Sequence, residues 1–222
     1  MQLLITGVAQ GIGLALTKEA LQKGHHVFGV ARHSGESKEL VQLTKEYNSL
    51  KIIELDLTDD TAKEKLIYAL KDCDKIDVLI NNAGVYDNGT TKQAFLKSFE
   101  VNAYVPFMVT DAVLSKLKSS SLPKAIHITS LMGSIGDNIS GNSYAYRSSK
   151  SALNMIHKCL SLDNKWLISA AIHPGWVQTR MGGEAAPVTA EKSGNGIWKV
   201  IEDLTPAESG CFKDYQGKKL PW

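Results

Sequence analysis

Cysteine is scarce in this sequence. Cys73, Cys159 and Cys211 are the only three, widely spaced and without a CxxC pair. An odd, scattered set argues against a disulfide framework and predicts free, mostly buried thiols in a reducing compartment, the cytoplasm. Proline is also scarce, and no Pro/Ser-rich tract, low-complexity segment or repeat marks a linker. No apolar run approaches the ~18 residues of a membrane span. Met1-Gln2-Leu3-Leu4-Ile5 lacks the basic flank and longer apolar core of a secretory signal, and reads as a first strand. Neither sign of charge dominates, with 25 basic and 23 acidic side chains and a net charge of +2. The clustered Lys/Arg of a nucleic-acid footprint is missing. No histidine pair stands at metal-ligand spacing beside an acid cluster, so no metal is expected.

What is present is enough for a folded core. Hydrophobic residues make up 43% of 222 and charged residues 22%, which excludes a disordered chain. A single domain over 1–222 of this size buries roughly 70–75% of its unfolded surface without covalent staples. Short apolar runs at 2–6, 26–31, 51–55, 76–81, 124–129 and 167–172, with a weaker one near 210–213, read as strands covered on both faces. Amphipathic stretches at 12–23, 36–48, 59–72, 92–118, 144–164 and 189–204 read as helices. Gly24 suits the end of the first helix, Thr58 or Asp59 the start of the third, and Thr189 the start of the last. This alternation predicts an α/β fold of Rossmann type: a doubly wound, mostly parallel sheet with helices on both faces. Ligands of such sheets bind at the carboxyl edge, where strand order reverses.

Thr6-Gly7-Val8-Ala9-Gln10-Gly11-Ile12-Gly13 follows the first strand and opens the first helix. Gly7 permits a tight turn, Gly11 lets the backbone approach a pyrophosphate, and Gly13 allows close helix–strand packing. The helix N-terminus then offers free N–H groups and a positive dipole end to phosphate. No Gly-Lys-Ser/Thr follows, so this is not a Walker loop. The second strand ends on Arg32. An acid there would favour NAD; a guanidinium pairs with a 2′-phosphate and points to NADP(H), unless Arg32 is simply an exposed arginine.

The TGxxxGIG string resembles the cofactor turn of the short-chain dehydrogenase/reductase family. The resemblance runs from Thr6 to Trp222 and is nearest to a short carbonyl-reductase-like branch with sniffer-type reductases and bacterial C-factor proteins. It implies cofactor contacts from Gly7, Gln10, Gly11, Ile12 and Gly13. It implies adenine contacts from Asp56 and the Leu57 N–H, and passage of the ribose over Asn82, Ala83 and Gly84 of the NNAG string. It implies that Val177 and Thr179, in Pro-Gly-Trp-Val-Gln-Thr, hold the carboxamide.

The family's Tyr-x-x-x-Lys signature occurs three times, at Tyr47/Lys51, Tyr146/Lys150 and Tyr215/Lys219. Context selects the second. Tyr47/Lys51 lies where a helix runs into a strand, toward the amino edge. Tyr215/Lys219 spans Gly217 in a polar tail, where a regular helix is disfavoured. Tyr146 and Lys150 are four residues apart in a long helix and so share a face. A phenol of ordinary pKa about 10 is a poor acid–base near neutrality, and a nearby ammonium favours its phenolate. Ser130, closing the fifth strand, can donate to a developing oxyanion. The resemblance gives Asn102 a place in a water-mediated relay to Lys150, and Lys150 the nicotinamide ribose.

Two departures from the pattern concern the substrate. Ser130 and Tyr146 are 16 residues apart, longer than in many members, which lengthens the loop around 137–142. Only nine residues separate Thr179 from Thr189, where many relatives carry a helical lid, so the pocket is expected to be open or shallow. The expected function is an NAD(P)(H)-dependent oxidoreductase of carbonyls or secondary alcohols, preferring NADPH. The rival is a cofactor-binding signalling or scaffold protein with vestigial catalysis. Helices 92–118 and 144–164 each offer an apolar face, and the resemblance implies that they pair between subunits, in a homodimer or a homotetramer.

Overall fold

A computed structural model describes residues 1–222. Its strands are β1 (Gln2–Thr6), β2 (His26–Ala31), β3 (Leu50–Glu54), β4 (Val78–Asn81), β5 (Lys124–Ile128), β6 (Ile168–His173) and β7 (Cys211–Asp214). They form one sheet in the order β3-β2-β1-β4-β5-β6-β7, and every neighbouring pair is parallel, not merely most. The chain winds outward from β1 to β3, then crosses back to β4 on the other side of β1. That reversal opens a crevice at the carboxyl ends of β1 and β4.

The central strands β1, β4, β5 and β6 are buried almost throughout because both faces are covered, whereas the edge strands β3 and β7 carry Lys51, Glu54, Lys213 and Asp214; the two-residue period divides the core. Leu3, Ile5, Val78, Ile80, Ile126 and Ile128 face one layer, with Leu14, Leu16, Leu40, Ile197 and Trp198. These come from helices α1 (Gly11–Gln22), α2 (Lys38–Glu46) and α7 (Ala190–Asp203). Leu4, Leu79 and Ala125 face the other layer, against Leu66 of α3 (Ala62–Ala69) and Met108, Val109 and Val113 of α5 (Val105–Lys118). Each fully buried large side chain contributes roughly 1.5–3 kcal/mol, so both layers hold the sheet. Toward the carboxyl edge the second layer turns polar. Asn81 Nδ2 donates to Pro106 O and Thr110 Oγ1 and meets His127 Nδ1 at 3.3 Å.

Four sequence expectations are corrected. The helix over 92–118 is not continuous. It consists of α4 (Lys92–Phe99) and α5, joined by a π turn over Glu100–Tyr104. Pro106 has no N–H to offer the Asn102 carbonyl four residues back, so a plain α-helix cannot pass through. The stretch at 36–48 is a 3-10 turn over Ser34–Glu36 followed by α2, whose N-cap Ser37 accepts from Leu40 N at 3.2 Å. Neither Thr58 nor Asp59 caps α3; the residue before it is Thr61, and Thr58 instead donates to Asp56. Among the thiols only Cys73 is buried; Cys211 is half-buried and Cys159 exposed. Gly24, at φ +75°, ends α1 as expected, and Thr189 Oγ1 caps α7 by accepting from Lys192 N at 3.1 Å.

Candidate active site

The glycine-rich turn is built around Asn82. Gly7 leaves β1 at φ +73°, a conformation L side chains rarely adopt. Its carbonyl lies so close to α1 that a Cβ on Gly13 would stand 2.1 Å away. Asn82 Nδ2 donates to Thr6 O (2.9 Å) and Gly7 O (3.2 Å), and Thr6 Oγ1 accepts from the N–H groups of Asn82 and Ala83. The turns after β1 and β4 are thus one hydrogen-bonded unit. Gln10 precedes α1 and its side chain makes no capping bond, so the first-turn N–H groups of Gly11, Ile12 and Gly13 are left to an outside acceptor. The Thr179 methyl lies against Gly11, 3.0 Å from where a Cβ would be. A narrow, glycine-floored cradle ending on free N–H groups suits the pyrophosphate of a dinucleotide.

Arg32 sits at the outer end of the cradle with its side chain 60% exposed, 3.8 Å from Asp56 Oδ2. Burial works to raise the Asp56 carboxyl, but the Thr58 N–H and hydroxyl and the Arg32 charge bring it below its usual value. Leu57 is buried. Beside Arg32, Ser34 is turned toward Glu54 and hydrogen-bonds its carboxylate.

The reactive groups gather on α6 (Tyr144–Asp163) and the end of β5. Tyr146 and Lys150 are one turn apart, both buried, with Lys150 Nζ 6.0 Å from the Tyr146 ring centroid. Lys150 Nζ donates to Ile128 O at 2.9 Å and lies 3.6 Å from where a Cβ on Gly84 would be. Burial lowers the ammonium to about 8. Burial also pushes the Tyr146 phenol up to about 12, with Ser130 pulling it down and Tyr86 adding to the rise. Desolvation thus dominates the acidity of the free phenol, and Lys150, turned to the Ile128 carbonyl, is not among the groups that shift it. Ser130 Oγ accepts from Met132 N at 3.1 Å, which leaves its own proton free to donate.

Asn102 lies in the π turn and is fully buried. Its Oδ1 accepts from Val85 N (2.8 Å), and its Nδ2 donates to Val85 O (2.9 Å) and Ser149 Oγ (3.0 Å). The side chain thus ties the chain after β4 to α6. Val177 is buried and bridges Val188, while Thr179 Oγ1 accepts from Gly182 N at 3.1 Å. No helix forms between Thr179 and Thr189. Tyr47 ends α2 and Lys51 lies in β3, away from the cradle; Tyr215 packs on Gly175 and Gly196.

Sequence reasoning missed three contributors. Thr6 organises the two turns, as described. Asn154 accepts from Thr129 Oγ1 and donates to Gly133 O, which braces the turn after Ser130. It stands four residues beyond Lys150 on the same helix face, a spacing that could have revealed it. Tyr86, two residues past Gly84, packs edge-on against Tyr146 with ring centroids 4.8 Å apart.

Residues 2–189 match the family model for short chain dehydrogenases. The C-signal of Myxococcus xanthus is 44% identical over 154 residues, which is 66% of this chain and 93% of that protein. The carbonyl reductase Sniffer of D. melanogaster superposes with a TM-score of 0.95 at 34% identity, covering 100% of this chain and 99% of that one. An NADPH-bound carbonyl reductase from chicken fatty liver superposes with a TM-score of 0.93 at 30% identity, covering 100% and 98%.

Proposed function

The chain belongs to the short-chain dehydrogenase family and is an NAD(P)-dependent oxidoreductase of C=O and CH–OH groups; from that premise we propose a carbonyl reductase that prefers NADPH, with Tyr146 as its general acid–base. The observation that carries the assignment is the buried Tyr146/Lys150 pair beside Ser130, at the carboxyl edge next to the glycine cradle.

When bound, the reduced nicotinamide supplies a hydride to the carbonyl carbon. Tyr146 delivers its phenol proton to the carbonyl oxygen as the C=O π bond opens, so that one C–H and one O–H bond form and the alcohol leaves. The Ser130 hydroxyl donates to the same oxygen and fixes its position. The Lys150 ammonium favours the phenolate left on Tyr146 and holds the nicotinamide ribose. Gly7, Gln10, Gly11, Ile12 and Gly13 seat the pyrophosphate, Asp56 and Leu57 the adenine, Asn82, Ala83 and Gly84 the ribose, and Val177 and Thr179 the carboxamide. Asn102 completes the site by holding Val85 against α6. Arg32, exposed at the adenine end, supports the preference for NADPH, and an NADPH-bound relative points the same way.

All of 1–222 works as one cofactor-binding and catalytic domain. A homodimer is supported by exposed Leu96, Phe99, Tyr104 and Phe107 on α4, the π turn and α5, and by Met155 and Leu162 on α6. No helix is long and apolar enough to cross a membrane, and free thiols support a cytoplasmic setting. The scaffold alternative is not favoured, because no catalytic side chain of the signature is missing. Tyr146→Phe should keep NADPH binding and lose turnover of ketones, quinones or aldehydes; unchanged turnover would sink the mechanism.

A further inference from the structure

We propose that Tyr86 is a positioning residue for Tyr146, packing its ring edge-on against the phenol and holding the entrance of α6 through Ser143. The proposal rests on the assignment of Tyr146 as acid–base.

Tyr86 comes from the chain after β4, across the crevice from α6. The planes of the two rings meet at 68° with centroids 4.8 Å apart, the edge-to-face arrangement aromatic pairs favour. The Tyr86 hydroxyl lies 3.0 Å from Ser143 Oγ. Ser143 immediately precedes α6, yet its side chain makes no capping bond to the helix. Its hydroxyl is committed to Tyr86 instead.

The backbone there is unusual. Gly141, Asn142 and Ser143 are consecutive and all left-handed, with φ of 65°, 60° and 49°. For the two non-glycine residues this conformation is strained and persists only where neighbouring structure imposes it. Two ties impose it. From α6 itself, Arg147 Nε donates to Gly141 O (2.8 Å), and another of its nitrogens to Ser140 Oγ (2.9 Å). From the opposite wall, Tyr86 binds Ser143. The strained segment delivers the chain to Tyr144, and Tyr146 lies in the first turn. A shift of the helix entrance therefore moves the phenol directly, and a displacement of about 1 Å at a reacting group is enough to slow chemistry. The polar groups facing the phenol are Ser130 after β5, Lys150 one turn further on α6, and Tyr86. Ser130 and Lys150 are each anchored to main chain. Tyr86 is the remaining wall.

The test compares Tyr86→Phe, Tyr86→Ala and Ser143→Ala with the parent and with Tyr146→Phe. It measures kcat and KM for a model ketone, the pH profile of kcat, and the NADPH Kd by fluorescence. The Phe and Ser143→Ala variants should each lose several-fold in kcat, with both KM and Kd unchanged. Tyr86→Ala should lose more than tenfold. In this variant, which opens the ring packing to water, the pH midpoint should also move to lower pH, because burial is the main cause that holds the phenol protonated. If it fails to fold, the other two variants decide. Parent-like kcat in both of them, with Tyr146→Phe inactive, overturns the role of Tyr86 alone. A rise in ketone KM with unchanged kcat also overturns it, since Tyr86 would then bind substrate. Full turnover by Tyr146→Phe overturns the assignment of Tyr146 beneath it.

Discussion

Lys150 donates its buried ammonium to the carbonyl of Ile128, and not to the phenol of Tyr146 one turn away. The β5 carbonyl aims the ammonium into the crevice beside Gly84, while burial prices its charge. Its acidity should be readable in stability. The folded pKa, about 8, lies below the unfolded value of 10.5, so between these the unfolded chain binds more protons. Stability attributable to Lys150 therefore rises with pH from about 8 to 10. Replacing Lys150 with Met removes this term. Melting temperatures of parent and variant, measured without cofactor across that range, should converge or cross in the parent's favour as pH rises.

The acid side is set by histidines. His127, His157 and His173 are held neutral by burial, the first well below its usual value and the other two down to about 4. Below pH 6.5 the unfolded chain takes up protons that the folded chain refuses, so stability should fall from pH 6.5 towards 4. A His157→Gln variant should lose stability less steeply over that interval in denaturant titrations. An equal slope would show that His157 titrates freely.

At the adenine end, Arg32→Ala should weaken NADPH binding about tenfold to a hundredfold, the range for losing a charge-assisted hydrogen-bonded pair of roughly 1.5–3 kcal/mol. NADH binding should barely change. Thermal shifts give the check, since a ligand at 100 times its dissociation constant adds about 2.7 kcal/mol. A larger shift with NADH than NADPH in the parent would overturn the reading of Arg32.

Asn102→Ala removes three hydrogen bonds and leaves both main-chain groups of Val85 without their partner. A loss of roughly 2–4 kcal/mol in unfolding free energy is expected. Turnover should fall as well, because the chain carrying Tyr86 is released from α6.

Much of this was legible from residues alone. Largely apolar runs gave the strands to within two residues at each end of β1 to β6, because strands covered on both faces, as the central ones are, leave little room for polar alternation. The glycine turn, Tyr146, Lys150 and Ser130 stood at strand ends and helix starts, where position is nearly fixed by topology. The π turn was harder: Glu-Val-Asn-Ala-Tyr is itself unremarkable, and the only signal was Pro106 downstream. Tyr86 and Thr6 act across the crevice, through contacts between segments 57 and 76 residues apart, and local pattern carries no record of such distances. The high pKa of the free Tyr146 phenol was out of reach for a related reason. Spacing placed a cation nearby, but depth of burial is a property of the whole fold.

The bridge between Val177 and Val188 has a consequence for how new activities arise on this scaffold. Gln178 N donates to Val188 O at 2.7 Å, and Val188 N to Trp176 O, which clips the chain shut at the base of the segment between them. Beyond Thr179, which packs on Gly11 of the cradle, the chain is an appendix to the sheet. Lengthening it costs little in loop-closure entropy, only about 0.6 kcal/mol for each doubling. The segment is thus a grafting point, at which a roof of foreign sequence can be spliced in over the crevice while the cradle and the Tyr146 helix stay as they are.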